Sequence, residues 1–302
     1  VHTALAILPN FLLIAVGFVL SRRFDYGRDF WEGLEKLVYY VLFPALLFRS
    51  LAVASIDFSK TGVLVAAALA FTVAGMVLAL PARRLFELEP KLAASCFQCA
   101  FRFNTYVGLA VAGSLFGTPG VALAAILFGA MIPVVNLAAV AMLASGSGRG
   151  LLGELARNPL LLSTLAGFLW NALGLGLPGF ADRTLDLLAQ TALPAGLLSV
   201  GAALRVERGQ GPASAHAYWL AIKLLVLPAI AWGLARGLAF GALETAVLVL
   251  AAALPTASSA YILAVRMGGD GGAVATQITV GTLISMLTIP LWIAWLGTLP
   301  LK

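Results

Sequence analysis

Ten apolar stretches, at 4–21, 33–53, 61–82, 92–116, 119–143, 159–177, 185–204, 215–239, 243–265 and 272–298, leave this chain of 302 residues few ways to fold. Each approaches the roughly 20 residues a helix needs to cross a hydrocarbon core. None alternates with the period of two expected of a barrel strand. A spanning helix satisfies its own backbone hydrogen bonds where water cannot. With 61% hydrophobic and 11% charged residues, too little polar surface remains to cover a soluble globule of this size. Two cysteines cannot build a disulfide scaffold. The expected fold class is therefore an all-α membrane protein with ten transmembrane helices.

A formal charge of +6 would suit a nucleic-acid partner only if the cations clustered on one exposed face, and here they stand in ones and twos between apolar runs. They read instead as topology signals. Of nineteen Lys and Arg, twelve fall in one set of alternating links (21–36, 81–91, 144–158, 205–213 and the Arg266 turn) and five in the other. That bias puts the first set in the cytoplasm and both termini outside. Arg22 and Arg23 follow the first apolar run rather than precede it, so that run reads as a retained helix and not a signal peptide.

Laid on itself with an offset of about 150, the chain repeats. Pro9, Gly17 and Phe18 fall on Pro159, Gly167 and Phe168, and Pro44, Ala45 and Leu47 fall on Pro194, Ala195 and Leu197. At an offset of 152, Gly117 and Gly120 fall on Gly269 and Gly272. The alternative is coincidence in an apolar sequence of low diversity. The repeat divides the chain into halves at 1–148 and 152–302, five helices each, joined by the polar link SGSGRG at 145–150. Because five is odd, the second half enters the membrane inverted, the architecture of many secondary transporters.

The fourth helix of each half is interrupted by polar residues. The first, KLAASCFQCAFRFNTYVGLAVAGSLFG, carries Gln98, Arg102, Asn104, Thr105 and Tyr106; the second, ETAVLVLAAALPTASSAYILAVRMGGD, carries Pro255, Thr256, Ser258, Ser259 and Tyr261. Asn104 and Thr256 share the offset of 152. Proline removes a helix donor, and Asn tolerates irregular backbone, so helices 4 and 9 are expected to break and cross there. Half-helix N-termini at such a crossing attract an anion. The plainer reading is a pair of kinks that only pack helices.

Arg102 sits at the centre of a span, where a charge is costly and faces a partner or a watery cavity. It meets either a substrate carboxylate, gripped bidentately, or else carbonyls of the broken helix or interfacial water. Lys223 in helix 8 is a weaker case, for proton coupling or for structure. Asn136 and Gln277 are cavity-lining candidates, with helix–helix hydrogen bonding as the commoner role. Cys96 and Cys99 read as small packing residues, His2 and His216 lack metal-ligand companions, and no metal site or cofactor is expected. GSLFG at 113–117 and GLARG at 233–237 have the spacing of close helix packing.

Four segments in order, YYVLFPALLFRSLA, FRFNTYVGLAV, ALPTASSAYILAVRMGGD and TQITVGTLISMLTIPLWIAWL, resemble the auxin efflux carrier family of membrane transporters. Bacterial members are related to the plant PIN-FORMED auxin exporters and, more distantly, to the bile acid sodium symporters. The resemblance implies the bacterial cytoplasmic (inner) membrane, a homodimer, helices 1, 2, 6 and 7 as scaffold, and helices 3–5 and 8–10 as a transport domain. It also implies an elevator-like movement carrying an organic anion at the crossover of Asn104 and Pro255. Phe103 stands where plant members have a proline before the Asn-Thr pair, and the plant exporters' long cytoplasmic loop is missing. Residues 250–265 hold no Asp or Glu, whereas the symporters place a carboxylate there for sodium.

No G-x-S-x-G or H-E-x-x-H motif and no intramembrane Asp cluster supports an enzyme. The expectation is a secondary transporter for a small carboxylate, in contact with membrane lipid. Substrate would be held by Arg102, Asn104, Thr105, Tyr106, Pro255, Thr256, Ser258 and Ser259. Coupling is to a proton or the membrane potential, with sodium disfavoured. A sodium-coupled bile-acid-type symporter, an anion channel and a binding-only sensor are the alternatives.

Overall fold

The computed structural model describes residues 2–24, 26–53, 58–143, 159–205 and 211–297. The link at 145–150 and the last residues, 298–302, lie outside them. Every regular element among the described residues is helical: α1 (His2–Arg23), α2 (Gly27–Leu37), α3 (Phe43–Ala52), α4 (Phe58–Ala79), α5 (Ala82–Leu85), α6 (Pro90–Phe97), α7 (Thr105–Leu143), α8 (Pro159–Ala172), α9 (Gly179–Ala203), α10 (Ala213–Ala221), α11 (Leu227–Gly237), α12 (Ala242–Ala253), α13 (Ser259–Arg266) and α14 (Gly271–Gly297). Five described helical runs are long and apolar enough to cross a membrane: Thr61–Leu85, Pro90–Leu143, Gly179–Ala203, Ala213–Gly237 and Gly271–Gly297.

Local chemistry explains where these helices bend and stop. π-Helical turns at Val38–Leu42 and Ile222–Val226 lie just ahead of Pro44 and Pro228, whose rings lack an N–H and crowd the carbonyl four residues back. The carbonyl released by Pro228 is that of Leu224, and the Trp292 indole donates to it at 3.0 Å. Inside α7 the backbone turns at Gly117, whose φ of 61° favours glycine.

Of the helix ends that differ from the apolar pattern, two have a clear local cause. α8 stops at Ala172, short of 177, because left-handed Gly174 closes it while the Leu175 N–H reaches back to Trp170. α9 starts at Gly179, ahead of 185, because its first turns carry Asp182 and Asp186, which grip Arg49. Arg49 Nε lies 2.7 Å and Nη1 3.0 Å from the two carboxylates.

The chain forms two compact units. The first comprises residues 1–61, 109–129 and 150–203, and the second residues 62–108, 130–149 and 204–302. In the first, α1 and α9 approach so closely that a Cβ at Gly17 would overlap the Leu198 backbone, and one at Gly201 the Ile14 backbone. Gly167 of α8 also lies too close to the Phe48 backbone of α3 for a Cβ, though less tightly. Asn10 enters this core and donates to Ser114 Oγ at 3.0 Å. The glycines of 233–237, by contrast, have nothing within 4 Å, and Gly113 makes only ordinary contacts. Close packing therefore rests on Gly17, Gly167 and Gly201 and not on the two GxxxG runs.

The second unit holds both polar interruptions. α12 is buried at every residue from Thr245 to Ala253. The Tyr218 hydroxyl donates to the Leu78 carbonyl at 2.7 Å, tying α10 to α4.

Candidate functional site

In the first interrupted span, α6 tightens into a 3₁₀ turn at Gln98–Ala100, and residues 101–104 are non-helical before α7 begins at Thr105. Asn104 caps the restarting helix. Its Oδ1 accepts the N–H of Tyr106 at 3.1 Å and that of Val107 at 3.2 Å, as an N-cap should. In the second interrupted span, α12 ends at Ala253, Leu254 turns extended with ψ 143°, and α13 begins at Ser259. The two breaks meet: the Asn104 N–H donates to the Pro255 carbonyl at 2.8 Å, and the Thr256 hydroxyl donates to the Cys99 carbonyl at 2.9 Å. Each break satisfies backbone groups that the other exposes, which lets irregular backbone persist in an apolar interior.

Arg102 underpins this junction. Its Nη1 donates to Gln98 Oε1 at 2.7 Å and its Nη2 to Asn136 Oδ1 at 2.5 Å. Gln98 in turn donates through Nε2 to the carbonyls of Ser95 and Ala260, both at 3.2 Å. A chain of polar contacts thus runs from Asn136 through Arg102 and Gln98 to α13. Both of these acceptors are side-chain amide oxygens.

Lys223 is 1% exposed and donates from Nζ to the Ala252 carbonyl at 2.8 Å. That carbonyl lies in the last turn of α12, where the helix dipole is negative and backbone acceptors lack partners. Gln277 reaches from α14 to α10: its Nε2 lies 3.1 Å from the His216 carbonyl and 3.0 Å from His216 Nδ1. Asn136, in α7, is engaged by Arg102.

Exposure sorts the remaining candidates. Gln98, Arg102, Asn104, Pro255 and Thr256 are buried, Thr105, Tyr106 and Ser258 are half-buried, and Ser259 is exposed. The accessible polar groups of the junction are therefore those at the starts of α7 and α13, two helix N-termini whose dipoles favour an anion. Cys96 and Cys99 are buried free thiols. Among the described residues, no three His, Cys, Asp or Glu side chains gather where a metal could sit. Sequence reasoning missed Ser95, whose hydroxyl donates to Lys91 and accepts the Asp270 N–H at 2.8 Å. No sequence signal marks it, since serine is common in apolar helices.

Comparison with known proteins bears out the family resemblance of the motifs. A family model described as membrane transport protein matches residues 2–149 and 147–293. An uncharacterized transporter of Methanothermobacter thermautotrophicus is 27% identical, the alignment covering 95% of this chain and 96% of that protein. A putative malonate transporter of Rhizobium meliloti is also 27% identical, covering 97% and 96%. The uncharacterized transporter YfdV of Escherichia coli is 24% identical, covering 95% of each.

Proposed function

We propose that this chain, which belongs to the membrane transport protein family of the auxin efflux carriers, is a secondary carrier for a small organic carboxylate. The observation that carries the reading is the junction of two interrupted helices, fastened by the Asn104 N–H and the Pro255 carbonyl. A carboxylate at the starts of α7 and α13 would meet two positive helix ends and the hydroxyls of Thr105, Tyr106, Ser258 and Ser259. Arg102 adds a fixed positive charge behind them and holds the first break in shape through Gln98 and Asn136. The putative malonate transporter among the relatives favours a short mono- or dicarboxylate over a bulky ring acid.

The ten-helix inverted repeat and an elevator-like movement complete the proposal. Its scaffold of helices 1, 2, 6 and 7 draws support from the first compact unit, which takes residues 1–61 and 150–203, and its transport domain from the second. Residues 109–129 depart from that division. A homodimer in the bacterial inner membrane, with both termini outside, is part of the same reading. The buried Lys223 amine, seated on the Ala252 carbonyl at the end of α12, is a titratable group, and residues 250–265 offer a cation no carboxylate, which together favour coupling to a proton or the membrane potential over sodium.

The test is uptake of labelled malonate, acetate and an indole carboxylate by proteoliposomes, with sodium and pH varied separately. Saturable uptake with counterflow, lost in Asn104→Ala, supports a carrier. Non-saturating flux without counterflow points to a channel and overturns the proposal.

A further inference from the structure

The second unit contains a cavity of about 790 Å³ lined by Arg83, Arg84 and Lys91 together with Phe97, Met142 and Trp219. Three cations of the 81–91 stretch, Arg83 and Arg84 in α5 and Lys91 in α6, line it, and no Asp or Glu is among the lining residues. Glu87 and Glu89 belong to the same link but do not line the cavity. Trp219 closes the wall, 1% exposed, with its indole Nε1 buried away from the open volume. The cavity thus combines excess positive charge with apolar walls.

We infer that this cavity is a second anion site, separate from the helix junction, and that it holds the phosphate of an anionic phospholipid. Arg83 and Arg84 are exposed on the link that the charge bias assigns to the cytoplasmic side, the level at which basic residues meet headgroups. The phosphate pairs with Arg83, Arg84 and Lys91, and an acyl chain lies along Phe97 and Met142. A soluble dianion would have no use for those apolar walls.

Native mass spectrometry of the purified full chain, offered phosphatidylglycerol and phosphatidylcholine of identical chains, tests the inference. Selective retention of phosphatidylglycerol is expected, falling about fivefold for each charge removed in Arg83→Gln, Arg84→Gln and Lys91→Gln. Equal retention of both lipids, or full retention by the triple variant, overturns the site. Displacement of the lipid by the same concentration of glycerol 3-phosphate shows a soluble-anion pocket and overturns the lipid assignment. Asn104→Ala retains phosphatidylglycerol like the unaltered protein, so failure here and failure of the carrier reading are distinguishable.

Discussion

Asn104 does three things with one side chain and one peptide: it caps α7 twice through Oδ1 and joins the two breaks through its N–H. Asn104→Ala removes only the cap, a loss of about 1 kcal/mol, so the protein should melt within a few degrees of its parent while transport falls to background. Asn104→Asp restores the cap but adds a negative charge where the carrier proposal seats the anion. It should recover the melting temperature and not the uptake, and recovered uptake would remove the anion from the junction. Arg102 offers a different test, because its two amide partners need a planar fork that lysine lacks. Arg102→Lys should cost roughly 2–3 kcal/mol in stability, read as lowered unfolding temperature in detergent, with uptake slowed in parallel. Lys223→Met replaces a buried cation by an apolar chain of similar size and should leave stability equal or higher, whereas Lys223→Ala leaves a hole costing roughly 2–5 kcal/mol. Scanning fluorimetry of the pair separates charge from volume.

Interruption and close approach are what the helices contribute as elements. Pro255 and the polar run at 102–106 marked both breaks in the sequence, since each removes or competes with a helical hydrogen bond. Which groups would repair the breaks was not legible, because Asn104 and Pro255, or Thr256 and Cys99, are some 150 residues apart along the chain. Glycine shows the same limit. The GxxxG spacing at 233–237 invited a packing reading, yet only the facing backbone decides whether a glycine is needed, and the close approaches lie at Gly17, Gly167 and Gly201. Gly201→Val should therefore destabilise the first unit by at least about 1–3 kcal/mol, while Gly233→Val should change the melting temperature little. Equal effects would mean that α1 and α9 do not pack as described.

For the molecule as a whole, the distribution of Lys and Arg makes a prediction independent of the helix junction. A cysteine placed at Glu87 should react with a membrane-impermeant maleimide only from the cytoplasmic side, against little background from the buried Cys96 and Cys99. Labelling from outside would invert the orientation. Membrane residence, helical class and the family were carried by the sequence alone, because hydropathy, proline and charge act locally and leave their mark at each position. The two candidate breaks were legible for the same reason. The hydrogen bonds that join them, the contacts of Arg102 with Gln98 and Asn136, and that of Gln277 with His216 were decided by tertiary structure. A buried polar group takes whichever partner folding brings within 3 Å, and that partner is set by the packing of distant helices, on which local sequence is silent.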